Sequence, residues 1–300
     1  MPKTTQSPIH AHTFDFERLV KETITNSIKL TEYFRLKMIY YQLVSGKGLE
    51  FDRIREYQPG MDPRRIDWKI FSRTGKLFVR SYKEERKFDI IVVLDVSDSM
   101  LLGSTEMTKN EFAAIIAGTL AFAATESGDE VGVTMFSDKV EIVTDPSSEY
   151  YNMLNIISDP ENYGGKKDWP NLAKTLISNY TDNSIIFVIS DFIDTKAGLF
   201  LPELAANFAK VYGIMVRDPL DDDLPANVGR VYLRDFSGRK VYLTNFDEAR
   251  KEYQVLNQKQ IKDLMDEFHD YQQLFFKLKT NEDFATSFIK AVGEEEVIVY

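Results

Sequence analysis

The chain has 300 residues, with Lys+Arg 37 against Asp+Glu 47 and a formal net charge of -10. That length allows a substantial core in one large or two small domains, and the acidic balance argues against bulk nucleic-acid binding. Cysteine is absent, which excludes disulfides and thiolate metal sites; no run of about 18 apolar residues offers a membrane span, and Met1 to Thr13 lacks the apolar centre of a secretion signal, so a soluble, cytoplasmic chain is expected.

Residues 1–13 are polar, carry Pro2 and Pro8, and read as a loose tail. His10 and His12 lie there; they are either solvated tail residues or a weak metal pair. Phe14 to Val44 reads as a helix with a break near Thr31, because Phe16, Leu19, Val20, Ile24, Ile28, Phe34, Met38 and Leu43 recur at helical spacing. This stripe packs against a core or docks a partner. Residues 1–45 therefore form a first region.

Residues 46–87 form a second. They hold 12 Lys and Arg against 7 acidic residues, a locally basic arm in an acidic chain. Arg53, Arg55, Arg64, Arg65, Arg73, Arg80 and Arg86 dominate it. Arginine favours bidentate pairing with carboxylates or phosphates. Either Glu50, Glu56, Asp62 and Asp67 pair with these arginines inside the arm, or the arm is a contact surface for an acidic partner. Pro59-Gly60 marks a turn, and Leu77 to Tyr82 reads as a strand.

From Phe88 onward, residues 88–300 read as an α/β domain. Ile90-Ile91-Val92-Val93-Leu94 is a continuous apolar run, as in a strand buried on both faces. It ends in Asp95-x-Ser97-x-Ser99. Open α/β sheets bind ligands at the carboxyl ends of their strands, and a carboxylate with two hydroxyls is hard-cation chemistry. A helix over Lys109 to Glu126 buries Phe112, Ile115, Ile116, Leu120 and Phe122. Val131 to Phe136 is a strand, and Val140 to Val143 returns antiparallel after a short turn. Tyr150 to Ile157 and Asn171 to Asn179 are helical. Ile185 to Ile189 is a second buried strand, ending at Asp191. Leu199 to Lys210 is a helix, and Val211 to Arg217 a strand. Arg230 to Leu243 reads as two strands about a Ser237-Gly238 turn. Asp247 to Lys277 reads as one long helix, with His269 packed among Leu264, Phe268 and Phe275. Glu282 to Val292 is a shorter helix, and Glu294 to Tyr300 is a frayed edge strand or a tail that a partner grips.

Two motifs carry a family resemblance. Asp95-x-Ser97-x-Ser99 resembles the metal-ion-dependent adhesion site (MIDAS) of von Willebrand factor A domains. The upstream stretch Gly46-x-Gly48-x-Glu50-Phe51, then Arg55-x-Tyr57-x-Pro59-Gly60-Met61-Asp62-x-Arg64-x-Ile66-Asp67-Trp68, resembles the signature of the DUF58 family. Met61 stands where that family usually has its first Asp. The segment from Arg217-Asp218-Pro219 to Leu243 is also similar to the family. The resemblance implies a von Willebrand factor A-like, doubly wound and mostly parallel sheet with one antiparallel edge strand, preceded by a helical and basic arm.

It also implies a Mg²⁺ site built from three loops. Asp95, Ser97 and Ser99 come from the first, and Asp191 from the third. The second supplies a threonine in relatives that read Gly-Gly-x-Thr-Asp-Ile-Pro; here the stretch is Gly164-Gly165-Lys166-Lys167-Asp168-Trp169-Pro170, with Lys167 in the threonine's place. Either Lys167 swings outward and Asp168 replaces the threonine as a ligand, or the lysine neutralises Asp95 and Asp191 and no ion binds. Without any ligand, the polar residues of the first loop would simply cap the next helix.

The resemblance further implies a non-enzymatic adaptor that works with a MoxR-type AAA+ ATPase and a client protein. No Gly-x-x-x-x-Gly-Lys-Ser/Thr occurs, so any ATPase would be a separate partner. An enzyme of the phosphoryl-transfer type using Asp95 as nucleophile would need a second acid at position 97, which is serine. A Ser/His/Asp set lacks its histidine, since only His269 lies in the folded part. A nucleic-acid binder working through the arginine-rich arm is the third class.

Overall fold

The protein is described by a computed structural model. The structure describes residues 88–126, 128–193, 197–225, 230–234 and 241–284, and outside these 21–22, 54–57, 71–72, 75–80, 287 and 290. Lys21 and Glu22 are helical, as are Phe284, Ser287 and Lys290 near the other end. The rest of the expected N-terminal helix, most of the arginine-rich arm, the Ser237-Gly238 turn and the last residues lie outside the described set. Of the arm, β1 (Ile54–Glu56) and β2 (Phe78–Arg80) pair antiparallel.

β3 (Asp89–Asp95) leads into α1 (Lys109–Glu126), followed by β4 (Glu130–Phe136), β5 (Glu141–Val143), α2 (Tyr150–Ser158) and α3 (Trp169–Asn179). β6 (Ser184–Ser190), α4 (Leu201–Asn207), β7 (Lys210–Arg217) and the single turn α5 (Pro219–Asp222) come next. β8 (Arg230–Arg234) and β9 (Val241–Asn245) form a separate antiparallel pair, and α6 (Phe246–Asp270) and β10 (Leu274–Lys279) complete the main body. The six-stranded sheet has the order β10-β7-β6-β3-β4-β5. All its pairings are parallel except that of β5 with β4. This is the mostly parallel sheet with one antiparallel edge that the sequence implies.

β3 shows why a continuous apolar run belongs at the centre. Side chains alternate between faces along a strand. Ile90, Val92 and Leu94 enter a core with α1 and α2, whereas Ile91 and Val93 enter a second core with α3, α4 and α6 residues. Both faces are covered, so no position along the run is left for a polar residue. α1 is more deeply set than a one-faced helix. Ala113, Ala114, Ala117, Ala121 and Ala124 are buried along with the expected Phe112, Ile115, Ile116 and Leu120, while Phe122 is half-buried against Tyr150. The small residues let the helix lie close on the sheet.

Three expectations need correction. The helix read from Asp247 to Lys277 ends at Asp270, and Leu274–Lys279 is instead β10, parallel to β7 at the sheet edge. Gln272, at φ 56°, turns the chain in the left-handed region. Phe275 then points into one core while Phe276 and Leu278 point into the other, the period of a strand. His269 is exposed, not packed. The helix expected over 199–210 is shorter, since Lys210 already opens β7. Among the described residues no helix is long and apolar enough to cross a membrane.

Candidate functional site

Strand order reverses at β3: β4 continues on one side, and the chain returns to place β6 on the other. The crevice at such a reversal lies beyond the carboxyl ends of the two strands. Asp95 closes β3 and Asp191 follows β6, so both carboxylates arrive there from the sheet itself.

The first loop is folded by its own polar groups. Asp95 Oδ1 accepts from the Ser97 backbone N–H at 2.9 Å, and the Ser97 and Ser99 hydroxyls lie 3.2 Å apart. Asp95 Oδ2 accepts from the Ser190 hydroxyl at 2.6 Å, which ties β3 to β6. The second loop is zipped onto the first by backbone bonds. Gly164 N–H donates to Val96 O at 2.7 Å, and Asp98 N–H donates to Gly165 O at 2.8 Å. Gly165 N–H donates to Asp98 Oδ1 at 2.9 Å. Gly165 takes φ +97°, and any Cβ there would lie 2.9 Å from Ser137 Oγ, so this position requires glycine.

That anchoring delivers Lys167. Its ammonium donates to Ser99 Oγ at 2.6 Å and lies 2.9 Å from Asp191 Oδ1 and 3.7 Å from Asp95 Oδ2. Its side chain is 13% exposed. Asp95, Ser97, Ser99 and Asp191 are thus brought together. Asp168 is not: its carboxylate accepts from Asn171 N–H at 3.3 Å and caps α3. The free N–H groups of a helix start attract a carboxylate one residue before it, which explains why Asp168 turns away and its neighbour turns in.

A second lysine, with no counterpart among the expected residues, backs the site. Lys109 opens α1 yet is only 1% exposed. Its ammonium contacts Asp191 Oδ2 at 2.8 Å and Asp221 Oδ2 at 3.0 Å. Asp221 Oδ2 also accepts from Asp218 N–H at 3.0 Å, and Asp218 accepts from Leu220 N–H, a reciprocal cap on α5. Asp218 in turn receives the Ser104 N–H and hydroxyl at 2.7 and 2.6 Å, clasping the first loop to the end of β7. Arg217, 1% exposed, donates to Asp221 O and Asn257 Oδ1 at 2.7 and 2.6 Å and so joins this layer to α6. Asp218-Pro219-x-Asp221 was a readable capping signal. A lysine before an apolar helix reads as solvent-exposed, so nothing in the sequence marked Lys109.

The charges divide unevenly. Burial pushes the Asp191 carboxyl up, but the Lys109 and Lys167 ammoniums together hold it well below the usual carboxylate range. Burial raises Asp95 above that range; Lys167 pulls it down, but not enough, and Asp191 adds to the rise. Burial lowers Lys109, yet Asp191 and Asp221 return it above the ordinary lysine value.

The donor set around Ser99, Asp95 and Asp191 is the oxygen chemistry of a hard cation. Its centre, however, is where Lys167 places its ammonium. A divalent ion about 3 Å from that charge would meet a repulsion on the order of 10 kcal/mol even at an effective dielectric near 20. With Lys167 so placed, these residues do not fit Mg²⁺. Among the described residues no group of three His, Cys, Asp or Glu side chains could hold a metal ion.

Comparison with known proteins gives the lineage. Uncharacterized protein Rv1480 of Mycobacterium tuberculosis H37Rv is 27% identical over 215 residues, covering 70% of this chain and 68% of that protein. Uncharacterized protein Mb1516 of Mycobacterium bovis is similar to the same extent. Among solved structures, an aerotolerance-related membrane protein from Bacteroides fragilis NCTC 9343 aligns with a TM-score of 0.42 at 15% identity, over 69% of this chain and 99% of that one. A family model described as "Protein of unknown function DUF58" matches residues 53–263, most of the chain, including β1, the strand-end loops and the greater part of α6; the chain belongs to the DUF58 family.

Proposed function

We propose that this protein is a non-enzymatic interaction module of the von Willebrand A type, an adaptor that works with a MoxR-type AAA+ ATPase on a client protein. The observation that carries this reading is the engagement of the polar atoms at the strand-end crevice. Asp95 accepts through both oxygens, from Ser97 N–H and the Ser190 hydroxyl. Asp191 accepts from Lys109, Lys167 and Ile193 N–H. A nucleophile or general base needs a lone pair turned toward a substrate; here every oxygen of the two carboxylates already accepts from a neighbouring group. What this leaves is a preorganised rim, and rigid presentation of polar groups suits recognition. The ATPase and the client come from the family resemblance.

The test is affinity capture of the tagged chain from its own cell lysate. A MoxR-type ATPase is expected among the retained proteins, and Asp95→Asn and Asp191→Asn are each expected to lower its recovery, with circular dichroism checking that each variant is folded. Recovery unchanged by both substitutions rejects a role for the rim. Turnover of phosphate esters that disappears with Asp95→Asn would restore the enzymatic reading.

A further inference from the structure

We propose that Lys167 is a tethered cation: its ammonium takes the place of a divalent ion, joins the three loops by itself, and leaves beneath it a latent metal site that one substitution opens. The inference does not depend on the identity of any partner.

The ammonium has the three neighbours that a bound ion would claim, Ser99 Oγ at 2.6 Å, Asp191 Oδ1 at 2.9 Å and Asp95 Oδ2 at 3.7 Å. These belong to the end of β3, the loop after it and the loop after β6, and Lys167 itself belongs to the loop before α3, so one side chain bridges all three loops. Its backbone is held near the rim. Gly164 and Gly165 are bonded to Val96 and Asp98, and Lys166 N–H donates to Asp138 Oδ1 at 2.6 Å. Release of the lysine therefore means rotating a half-buried cation away from two carboxylates and into solvent, with no other cation among the described residues positioned to replace it on Asp95. Lys109 already occupies the far oxygen of Asp191, and its own second partner is Asp221. The neighbouring carboxylate that could compensate for a missing hydroxyl, Asp168, is committed to the cap of α3.

A tethered charge also has an advantage over a free ion. It is present at high effective concentration and loses no translational freedom on binding. A free divalent ion has to displace it and then sit beside it. Removing only the ammonium changes the balance. Threonine at position 167 carries a hydroxyl and no charge, which leaves Asp95 and Asp191 facing each other with Ser99 between them, a set suited to Mg²⁺ or Mn²⁺.

The experiment is a Mn²⁺ titration of the full chain, followed by the electron paramagnetic resonance signal of free Mn²⁺. The wild type is expected to take up no stoichiometric ion. Lys167→Thr is expected to take up one equivalent, and adding Asp191→Asn to weaken that uptake by at least about tenfold, the usual loss when a metal site is damaged. Stoichiometric uptake by the wild type that is lost with Asp95→Asn would overturn the proposal, as would Mn²⁺ anomalous density against Ser99 and Asp191 in wild-type crystals. A folded Lys167→Thr that takes up no ion would overturn it too. If Lys167→Thr fails to fold without metal, refolding in Mn²⁺ decides: recovery of a cooperative melt supports the latent site, and no recovery refutes it. Failure to capture an ATPase leaves each of these readings intact, so the two proposals fail separately.

Discussion

Asp95 is 1% exposed and Asp191 0%, and both face Lys167, yet their protonation is driven in opposite directions. Asp191 has two ammoniums within hydrogen-bonding distance, whereas Asp95 has one at 3.7 Å and two neutral donors. A carboxyl whose folded pKa lies below its unfolded value contributes stability above the unfolded value, about 4, and loses that contribution as pH falls toward the folded one. Asp191→Asn is therefore expected to cost about 3–5 kcal/mol at neutral pH, because Lys109 keeps only Asp221 as counter-charge. The same variant should lose part of the decline in stability expected below about pH 4. Asp95 is raised, so its ionisation weakens the fold as pH climbs past the unfolded value. Asp95→Asn is expected to cost only about 1 kcal/mol, one neutral hydrogen bond rearranged. Urea denaturation at stepped pH measures both; equal losses for the two variants would refute this assignment. The sequence made Asp95, Ser97, Ser99 and Asp191 legible because each sits at a fixed offset from a buried strand. It left Lys167 open, since a lysine in a polar loop has chemistry for either direction. What settles its direction is the cap formed by the next residue.

β7 and β10 meet where Gly213 faces Phe275 in parallel register. A Cβ on Gly213 would come within 2.8 Å of Phe268 Cζ and closer still to the Phe275 ring. The glycine lets two aromatic rings, from α6 and β10, lie directly on the strand. Gly213→Ala is expected to destabilise by about 1–3 kcal/mol through overpacking, with an unchanged urea m-value; a neutral effect would mean that the rings are free to move. The same packing explains why the sequence pattern continues as helix where the structure has a strand. Phe268 and Phe275 are seven residues apart, two helical turns, so the apolar spacing alone continues the helix through Tyr271 to Gln273. The alternation of Leu274 to Lys279 is only six residues long and is populated equally well by helix residues. Its strand character comes from an open edge on β7, a tertiary fact. Lys277 and Lys279 reinforce it by reaching Asp222 at 2.8 and 3.5 Å. Burial raises the Asp222 carboxyl, but the bond to Lys277, with Arg217 and Lys279 nearby, lowers it overall.

At the scale of the molecule, the apolar runs at 90–94 and 185–189 identify the two central strands, and the Asp that follows each gives the position of the crevice. The layer beneath the crevice was not legible. Lys109, Asp221, Arg217 and Asn257 are scattered over 149 positions of sequence and converge only when α5 and α6 pack behind the sheet. Trp169 lies between the two sides of this arrangement. It follows Lys167 by two residues, and its indole stacks on Phe192, next to Asp191, at 5.5 Å and 13° and on Phe200 at 4.5 Å and 19°. The indole is 4% exposed. Its light emission is consequently an internal optical gauge of the crevice: a ligand that pulls the lysine loop away from the loop after β6 must unstack the ring and let water reach it. A partner that displaces the lysine loop is expected to shift the emission maximum to longer wavelength, a change that Trp169→Phe abolishes, whereas one that docks on the rim as it stands leaves the spectrum as it was.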